Sequence, residues 1–201
     1  MANIIVVHGF PGSGKTTQSK RLLKLSTENC PIYHISAGER LRAIRTGEFQ
    51  SRYGDQVNKP DAPKMLDHNL VNAIMFEYVS SCPPESVVLV DGFPRFKDAV
   101  EPFISAIQEG DHNFLGSLHL EISLETSRSR LEGRGIRRGE RFLEITEDVV
   151  EKRFWEHTIY TQEAVAALAE LAPVVNVDAN SREEEVWESF SEAIGELVNS
   201  R

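Results

Sequence analysis

The glycine-rich segment at residues 9–16 (GFPGSGKT) constrains the fold of this 201-residue chain more than any other stretch. It follows residues 4–7 (IIVV), an apolar β-branched run that is typical of a buried strand. It precedes residues 17–24, where Leu22 and Leu23 are candidates for the buried face of a helix. A tight turn between a buried strand and a helix is the opening unit of a parallel α/β sheet, and we predict that fold class.

The same segment fits the pattern G-x-x-x-x-G-K-[ST], whose chemistry is the binding of phosphate groups. Its glycines let backbone N–H groups point into a tight loop, and the helix that follows adds the partial positive charge of its N-terminus. We predict that Lys15 reaches the β- and γ-phosphates of a nucleotide and that the Thr16 hydroxyl binds Mg²⁺. The alternative is an ordinary glycine-rich turn, which has no use for the Lys-Thr pair.

The composition excludes several classes of function. With 40% hydrophobic and 26% charged residues it is that of an ordinary globular protein, and the formal net charge of −9 argues against a nucleic-acid partner. No apolar run approaches the roughly 20 residues of a membrane span, and we see no secretory signal. Cys30 and Cys82 lack neighbours at zinc-ligand spacing, so we predict no zinc. We expect a cytoplasmic protein, and nothing in its mixed surface charge predicts more than a monomer.

Strand-like runs alternate with helical patterns along the chain. Further strands are predicted at residues 32–35, 87–90, 118–122 and 174–177. Helices are predicted from residue 36 and over residues 65–79, 99–107, 125–132, 146–171 and 182–198. This alternation predicts a three-layer core, a parallel sheet between two layers of helices, with ligands at the carboxyl ends of the strands.

A second motif, residues 91–95 (DGFPR), directly follows the clearest buried strand. An acid at that position lies near the phosphate site, so we expect Asp91 to order water bound to Mg²⁺. Gly92 allows a ligand to approach closely, and Arg95 can hold a phosphate with two hydrogen bonds. The alternative is a strand that simply ends in an Asp-Gly turn.

Arginines are concentrated in one short segment of this acidic chain. They are Arg128, Arg130, Arg134, Arg137, Arg138 and Arg141, with Arg153 one predicted helix further on. Arginines neutralise the charge of a transferring phosphoryl group, and the glycines among them suit a mobile lid over residues 133–141. A charge run is more often a solvated surface, and we interpret Arg128, Arg137 and Arg138 in that way.

The third constellation spans residues 34–42 (HISAGERLR). Ser36 is a candidate N-cap for a helix that begins at the end of a strand, and Arg42 would project from that helix. We interpret His34 as a packed or edge histidine rather than a catalyst, because phosphoryl transfer needs positioning more than a base.

Taken in order, the segments GFPGSGKTTQ, ISAGERLR and DGFPR, followed by the arginines, resemble the adenylate kinase family of nucleoside monophosphate kinases. The resemblance covers essentially the whole chain as a single P-loop kinase domain, residues 1–201. It implies transfer of a phosphoryl group from ATP to a nucleoside monophosphate (NMP) with Mg²⁺, a reaction of nucleotide biosynthesis. Residues 36–65 would form an NMP-binding insertion and residues 133–142 a short lid, without the longer insertion that holds zinc in some members.

The resemblance also implies roles for individual residues. ATP would be bound by Gly12, Ser13, Gly14, Lys15, Thr16, Thr17, Arg130 and Arg134. The NMP would be bound by Ala37, Arg42, Lys64, Met65, Leu66, Gly92, Phe93, Arg95, Ala99, Arg141 and Arg153. The catalytic set would be Lys15, Arg95, Arg130, Arg134, Arg141 and Arg153, with Mg²⁺ held by Thr16 and, through water, by Asp91.

One segment and two single positions depart from the family pattern; the segment bears on closure of the lid, and the two positions bear on the substrate. The family usually has x-Asp-Asp after its lid arginine, where this chain has residues 142–144 (FLE). Ala37 replaces the usual Thr of adenylate kinases, as in UMP/CMP kinases, and Ala99 replaces a Gln that reads adenine. We predict AMP as the acceptor, with UMP or CMP as the alternative.

Two other classes stay open on the sequence. One is a nucleotide-binding regulatory protein with weak catalysis, which the altered residues after Arg141 would suit. The other is a P-loop kinase for a non-nucleotide acceptor, against which Arg42 and Arg95 argue because they call for a phosphorylated substrate.

Overall fold

A computed structural model describes residues 1–58, 66–138, 154–155 and 157–200, with the backbone alone described over residues 132–138. Its five strands are β1 (Asn3–Gly9), β2 (Ile32–Ser36), β3 (Val87–Asp91), β4 (Asn113–Glu121) and β5 (Val174–Asp178). They form one sheet in the order β2-β3-β1-β4-β5, and every neighbouring pair is parallel. The structure confirms the predicted α/β class with a P-loop core.

Helices cover both faces of this sheet. The described ones are α1 (Lys15–Leu23), α2 (Ala37–Thr46), α3 (Gly54–Val57), α4 (His68–Val79), α5 (Val100–Glu109), α6 (Leu124–Arg138), α7 (Gln162–Ala169) and α8 (Glu183–Asn199). A 3-10 turn, Lys97–Ala99, precedes α5, and a π-helical turn, His157–Thr161, precedes α7. None of the helices in the described part of the chain is both long and apolar enough to cross a membrane.

The central strand β1 is buried on both faces. Its Ile4 and Val6 belong to one core cluster and its Ile5 and Val7 to the other, because successive side chains of a strand point to opposite faces. The first cluster lies under α2, α4, α5 and α7, and the second under α1 and α8. This double burial explains why the sequence of β1 is a continuous apolar run rather than an alternating one.

The order of the strands fixes where a ligand can bind. Strands β1 and β3 are neighbours in the sheet. From β1 the chain crosses to the edge strand β2, on the far side of β3, whereas from β3 it crosses in the opposite direction to β4, on the far side of β1. Strand connections that diverge in this way open a crevice at the carboxyl ends of the two strands. Val7 pairs with Asp91, so the glycine-rich loop and the DGFPR motif both begin at this crevice.

Helix α6 differs from its prediction. The predicted helix ends at residue 132 and is followed by a loop, whereas α6 continues to Arg138. Gly133 and Gly135 each cost a helix about 1 kcal/mol relative to alanine, but the arginines around them are among the better helix formers. The loop prediction is therefore wrong for residues 133–138, and the rest of the proposed lid, residues 139–142, lies outside the described residues.

The long helix predicted over residues 146–171 is also interrupted. Residues 154–155 are helical, but residues 157–161 form a π-helical turn before α7 begins at Gln162. Single π-helical turns are frequent at functional sites, and hydrophobic periodicity gives no sign of them. Helix α4 begins at His68 instead of residue 65, because the Asp67 carboxylate accepts hydrogen bonds from the first backbone N–H groups.

Candidate active site

The glycine-rich segment at residues 9–16, the P-loop, begins with a backbone conformation that only glycine can adopt. Gly9 ends β1 with a φ of 146°, and a Cβ there would lie 2.7 Å from the Leu120 carbonyl oxygen of β4. Gly12 and Gly14 both have a φ of 92°, and α1 begins directly after Gly14. The loop therefore presents its N–H groups and the N-terminus of α1 at the crevice, as an anion site requires.

Lys15, the first residue of α1, is folded back onto the loop itself. Its Nζ donates hydrogen bonds to the Gly9 carbonyl and to the Phe10 carbonyl, the latter at 3.1 Å. Burial lowers the pKa of Lys15 to about 8, helped by the charge of Arg95 and opposed by that of Asp91. Two neutral carbonyls are weaker partners for an ammonium than phosphate oxygens, so Lys15 is held in an exchangeable position.

Asp91 lies buried beside the loop with three polar neighbours. Thr16 Oγ1 donates to Asp91 Oδ2 at 2.9 Å, and His34 Nε2 lies 3.3 Å from the same oxygen. Burial works against the charged form, but His34, the charge of Lys15 and the Thr16 hydroxyl together lower the pKa of Asp91. A hydroxyl and an ionised carboxylate in contact are hard oxygen donors, so this pair fits Mg²⁺. His34, predicted to be a packed histidine, has a side chain only 2% exposed.

Helix α6 is fastened to the outer side of the P-loop. Ser127 Oγ donates to the Pro11 carbonyl at 2.7 Å. Arg130 donates to the Gly12 carbonyl at 3.3 Å and to the Ser181 carbonyl at 2.8 Å, so its guanidinium bridges the P-loop and the segment before α8. A Cβ on Gly12 would lie 3.1 Å from the Ser127 carbonyl oxygen. The close contact between the P-loop and α6 is therefore a second reason why residue 12 is glycine.

Two further arginines line the crevice, each over a glycine. Arg95 Nε donates to the Gly92 carbonyl at 2.8 Å, and a Cβ on Gly92 would lie 3.3 Å from Arg95 Nη2. A Cβ on Gly38 would lie 3.3 Å from Arg42 Nη1 in the same way. The motifs that carry these arginines thus bring two further cations to the cavity that the P-loop lines.

One cavity of about 1020 Å³ is lined by Lys15, Thr16, Asp91, Arg130, Arg42 and Arg95. This volume lies at the upper end of the range for single small-molecule sites. The predicted site residues that line it are Gly12, Ser13, Gly14, Lys15, Thr16, Thr17, Arg42, Asp91, Gly92, Arg95 and Arg130.

The other predicted residues do not meet there in the described structure. Ala37, Phe93 and Ala99 are buried in the first core cluster, and Leu66 packs against that cluster. Arg134 is described by its backbone alone, and Lys64, Met65, Arg141 and Arg153 lie outside the described residues.

Sequence reasoning missed the histidines around Lys15. His8 of β1 and His157 of the π-helical turn both line the cavity, and the pKa of each is lowered to about 3. Burial is the main cause for both, and nearby His119 and Lys15 add to it. His8 could have been noticed because it precedes Gly9, but His157 lies in a segment whose pattern is that of an ordinary helix.

The parallel sheet, the glycine-rich loop and the Lys15–Thr16 pair define a P-loop protein of the α/β class. A family model described as "AAA domain" matches residues 8–149, and the chain belongs to that family. The chain is also similar to adenylate kinases.

Two relatives show this likeness. The chain is 30% identical to the adenylate kinase of Staphylococcus aureus strain N315 over 134 residues, which are 66% of this chain and 59% of that protein. It is 29% identical to the adenylate kinase of Staphylococcus epidermidis strain ATCC 12228 over 133 residues, with the same two shares. The matched region thus spans 59% of the length of these curated relatives.

Proposed function

We propose that the protein is an ATP-dependent nucleoside monophosphate kinase that catalyses ATP + NMP ⇌ ADP + NDP. The observation that carries this proposal is that the P-loop, Arg42 and Arg95 line one cavity. A P-loop accounts for the donor nucleotide alone. A further pair of cations in the same cavity calls for an acceptor that itself carries a phosphate.

On the donor side, the backbone N–H groups of residues 12–17 bind the phosphates of ATP. Lys15 leaves the Gly9 and Phe10 carbonyls and moves to the β- and γ-phosphates. Arg130, positioned by two carbonyls, lies beside the nucleotide where α6 meets the segment before α8. These donors neutralise the triphosphate and fix the γ-phosphorus for attack.

Mg²⁺ is the metal that this donor set suits. Thr16 would hold it through its hydroxyl, and Asp91 would hold it through water. When bound, the ion neutralises charge on the phosphate oxygens.

On the acceptor side, Arg42 and Arg95 orient the NMP phosphate. One of its oxygens attacks the γ-phosphorus in line, a new P–O bond forms, the bond to the β,γ-bridging oxygen breaks, and ADP leaves. Positioning and charge neutralisation suffice for this step, so no general base is assigned. Arg134, Arg141 and Arg153 complete the set of cations in the proposal, with residues 133–142 as the lid that excludes water.

We propose AMP as the acceptor, which is supported by the adenylate kinases that the chain resembles. UMP or CMP is the second candidate, and it is favoured by a specific observation. Ala37 and Ala99 are apolar and buried, so neither offers the side-chain hydrogen bond by which an adenine could be selected.

The test is ADP production from ATP and Mg²⁺ with AMP, UMP, CMP, dCMP, GMP and TMP supplied one at a time. The Lys15→Met variant, purified in the same way, sets the background from contaminating kinases. We expect one acceptor or one acceptor class to be turned over well above that background. If ATP binds but no NMP is phosphorylated, the kinase proposal is wrong and a regulatory nucleotide-binding role replaces it.

A further inference from the structure

The Gly9 carbonyl is a buried acceptor whose partner must change during ATP binding. It lies at the end of β1, in a buried residue that lines the cavity. In the described structure Lys15 Nζ donates to it. Under the proposed function Lys15 moves to the phosphates, and a buried carbonyl left without a donor would weaken ATP binding.

His157 is placed to be the second donor to this carbonyl. The Gly9 backbone is the hydrogen-bonding neighbour that acts to raise the pKa of His157, and His157 lines the same cavity as Gly9 and Lys15. Aromatic contacts fix the position of the His157 ring. Phe10 packs edge to face against His157, with the ring centroids 5.5 Å apart, and it packs against Phe154 with the centroids 4.5 Å apart. Phe10 is only 3% exposed, so the π-helical turn is anchored on the P-loop itself.

The charge state of His157 suits a donor that stands beside a lysine. Its pKa is lowered to about 3, mainly by burial and then by Lys15 and His119. At neutral pH the ring is therefore uncharged and does not repel the Lys15 ammonium. A neutral imidazole still carries one ring N–H, which is enough to bind one carbonyl.

We propose that His157 is a positioning residue for the P-loop lysine, whose ring N–H takes over the Gly9 carbonyl when Lys15 leaves it for the phosphates of ATP. The exchange keeps the carbonyl paired in both states, so binding of ATP does not leave an unsatisfied buried group. This inference rests on the proposed function only in that Lys15 binds the phosphates of ATP.

The other histidines of the site do not have this role. His8 is fully buried in β1, and its Nε2 has no hydrogen-bond partner among the described residues. His119 of β4 is paired in register with His8 and lies 3.9 Å from Glu121, so its ring is engaged at the outer end of the strand. His119 is therefore a matched control, since it belongs to the same group of rings and, among the described residues, no hydrogen bond joins its side chain to Gly9.

The test is the affinity for ATP and Mg²⁺ without an acceptor, measured by titration calorimetry with a non-hydrolysable ATP analogue as a check. We expect His157→Phe to weaken binding by roughly tenfold or more, the size of effect of one unpaired buried carbonyl. His157→Gln, whose amide N–H can donate, should restore most of the affinity. His119→Phe should bind as the wild type does. His157→Leu is the second apolar variant if His157→Phe does not fold beside Phe10 and Phe154.

A double-mutant cycle with Lys15→Met separates this role from a structural one. Once Lys15 is absent no exchange takes place, so His157→Phe should change ATP affinity much less in that background. Wild-type affinity in His157→Phe, failure of His157→Gln to rescue, or an equal effect with and without Lys15 would each overturn the inference. Binding of ATP by the wild type with no NMP turnover would instead overturn the proposed function and leave this inference standing.

Discussion

At the scale of single residues, the site is built from charges that burial disfavours. Lys15 lies against backbone carbonyls with a lowered pKa, while Asp91 stays ionised only because His34, Lys15 and Thr16 surround it. Each group is held by neighbours that it can exchange for a ligand. Such residues lower the stability of the free protein but leave it prepared to bind a ligand, a combination that is common at functional sites.

The pKa of Lys15 predicts the pH dependence of ATP use. Because the ammonium form binds phosphate and the pKa is about 8 in the free protein, kcat/KM for ATP should fall as the pH rises above about 8. The measurement is kcat/KM for ATP from pH 6.5 to 9.5. Lys15→Arg, whose guanidinium stays charged over this range, should be less active but flat. The same decline in Lys15→Arg would show that another group titrates.

Arg95 is expected to act on the reaction and not on the fold. Its side chain lies over Gly92 at the cavity, so Arg95→Ala should lower turnover by orders of magnitude while the free energy of unfolding changes little. Steady-state kinetics and urea unfolding of the same preparation check both halves. Arg45→Ala, an exposed arginine at the end of α2, is the control. Near-normal turnover in Arg95→Ala would remove Arg95 from the mechanism.

His8 predicts a loss of stability in mild acid. Its pKa is about 3 in the folded chain, against an ordinary value of 6.5, so the unfolded chain takes up the proton first. This contribution is complete above pH 6.5 and is lost as the pH falls from 6.5 toward 3, by about 2 kcal/mol at pH 5.

The experiment compares urea unfolding at pH 7 and pH 5. His8→Leu should lose less stability than the wild type over this interval, and His68→Leu, a histidine at the start of α4, should behave like the wild type. An identical loss in His8→Leu would mean that other groups govern the acid sensitivity.

At the scale of secondary-structure elements, α6 works as a brace for the P-loop. Ser127 and Arg130, one turn apart, hold the carbonyls of Pro11 and Gly12. A loop fixed in this way presents its N–H groups without ordering them anew on binding, which favours affinity. The brace depends on α6 beginning close to the end of β4, beside β1 in the sheet.

Ser127→Ala tests the brace. Loss of the 2.7 Å hydrogen bond to Pro11 should cost about 1 kcal/mol of unfolding free energy and weaken ATP binding severalfold. Ser129→Ala, an exposed serine in the same helix, is the matched control. The readouts are urea unfolding and calorimetric ATP affinity. If Ser127→Ala binds ATP like Ser129→Ala, the loop does not need the brace.

How much of this could be predicted from the sequence differs between elements. Strands β1 and β3 carry continuous apolar runs because both faces of the sheet are covered, and the P-loop motif lies at a strand–helix junction where glycine is required, so both were predictable. The extension of α6 through Gly133 and Gly135 opposes local propensity, and the π-helical turn at His157 has no periodic signature. The cluster around Lys15 joins residues 8, 119 and 157. The sheet order brings residues 8 and 119 together, and the packing of the π-helical turn on Phe10 adds residue 157.

At the scale of the whole molecule, the two proposed substrates bind on different parts of one chain. In the proposal, the P-loop, α6 and the start of α8 surround the donor, while α2 and the segment after β3 surround the acceptor; all of them line one cavity. Since both parts are attached to the same central strands, each ligand should stabilise the folded chain as a whole.

Thermal unfolding should report this linkage. ATP with Mg²⁺ at a hundred times its Kd should raise the free energy of unfolding by about 2.7 kcal/mol, and the true acceptor should add a further increment that other NMPs do not. Differential scanning calorimetry with each NMP, alone and with ATP, measures both terms. The Lys15→Met variant should show a smaller ATP increment at the same ATP concentration and keep the acceptor increment. Equal shifts with every NMP would contradict selection of the acceptor by this cavity.

The central place of β1 in the sheet has a consequence for how the chain is made. The residue that begins this strand, Asn3, pairs with Val87 on one side and with Asn113 on the other. A ribosome therefore releases an apolar strand that has no partner until residues far downstream have also emerged. Folding that depends on such non-local pairing is slow, and until it is complete the chain exposes apolar surface to other chains. The nascent polypeptide therefore carries an exposed, aggregation-prone strand until β3 and then β4 have been translated.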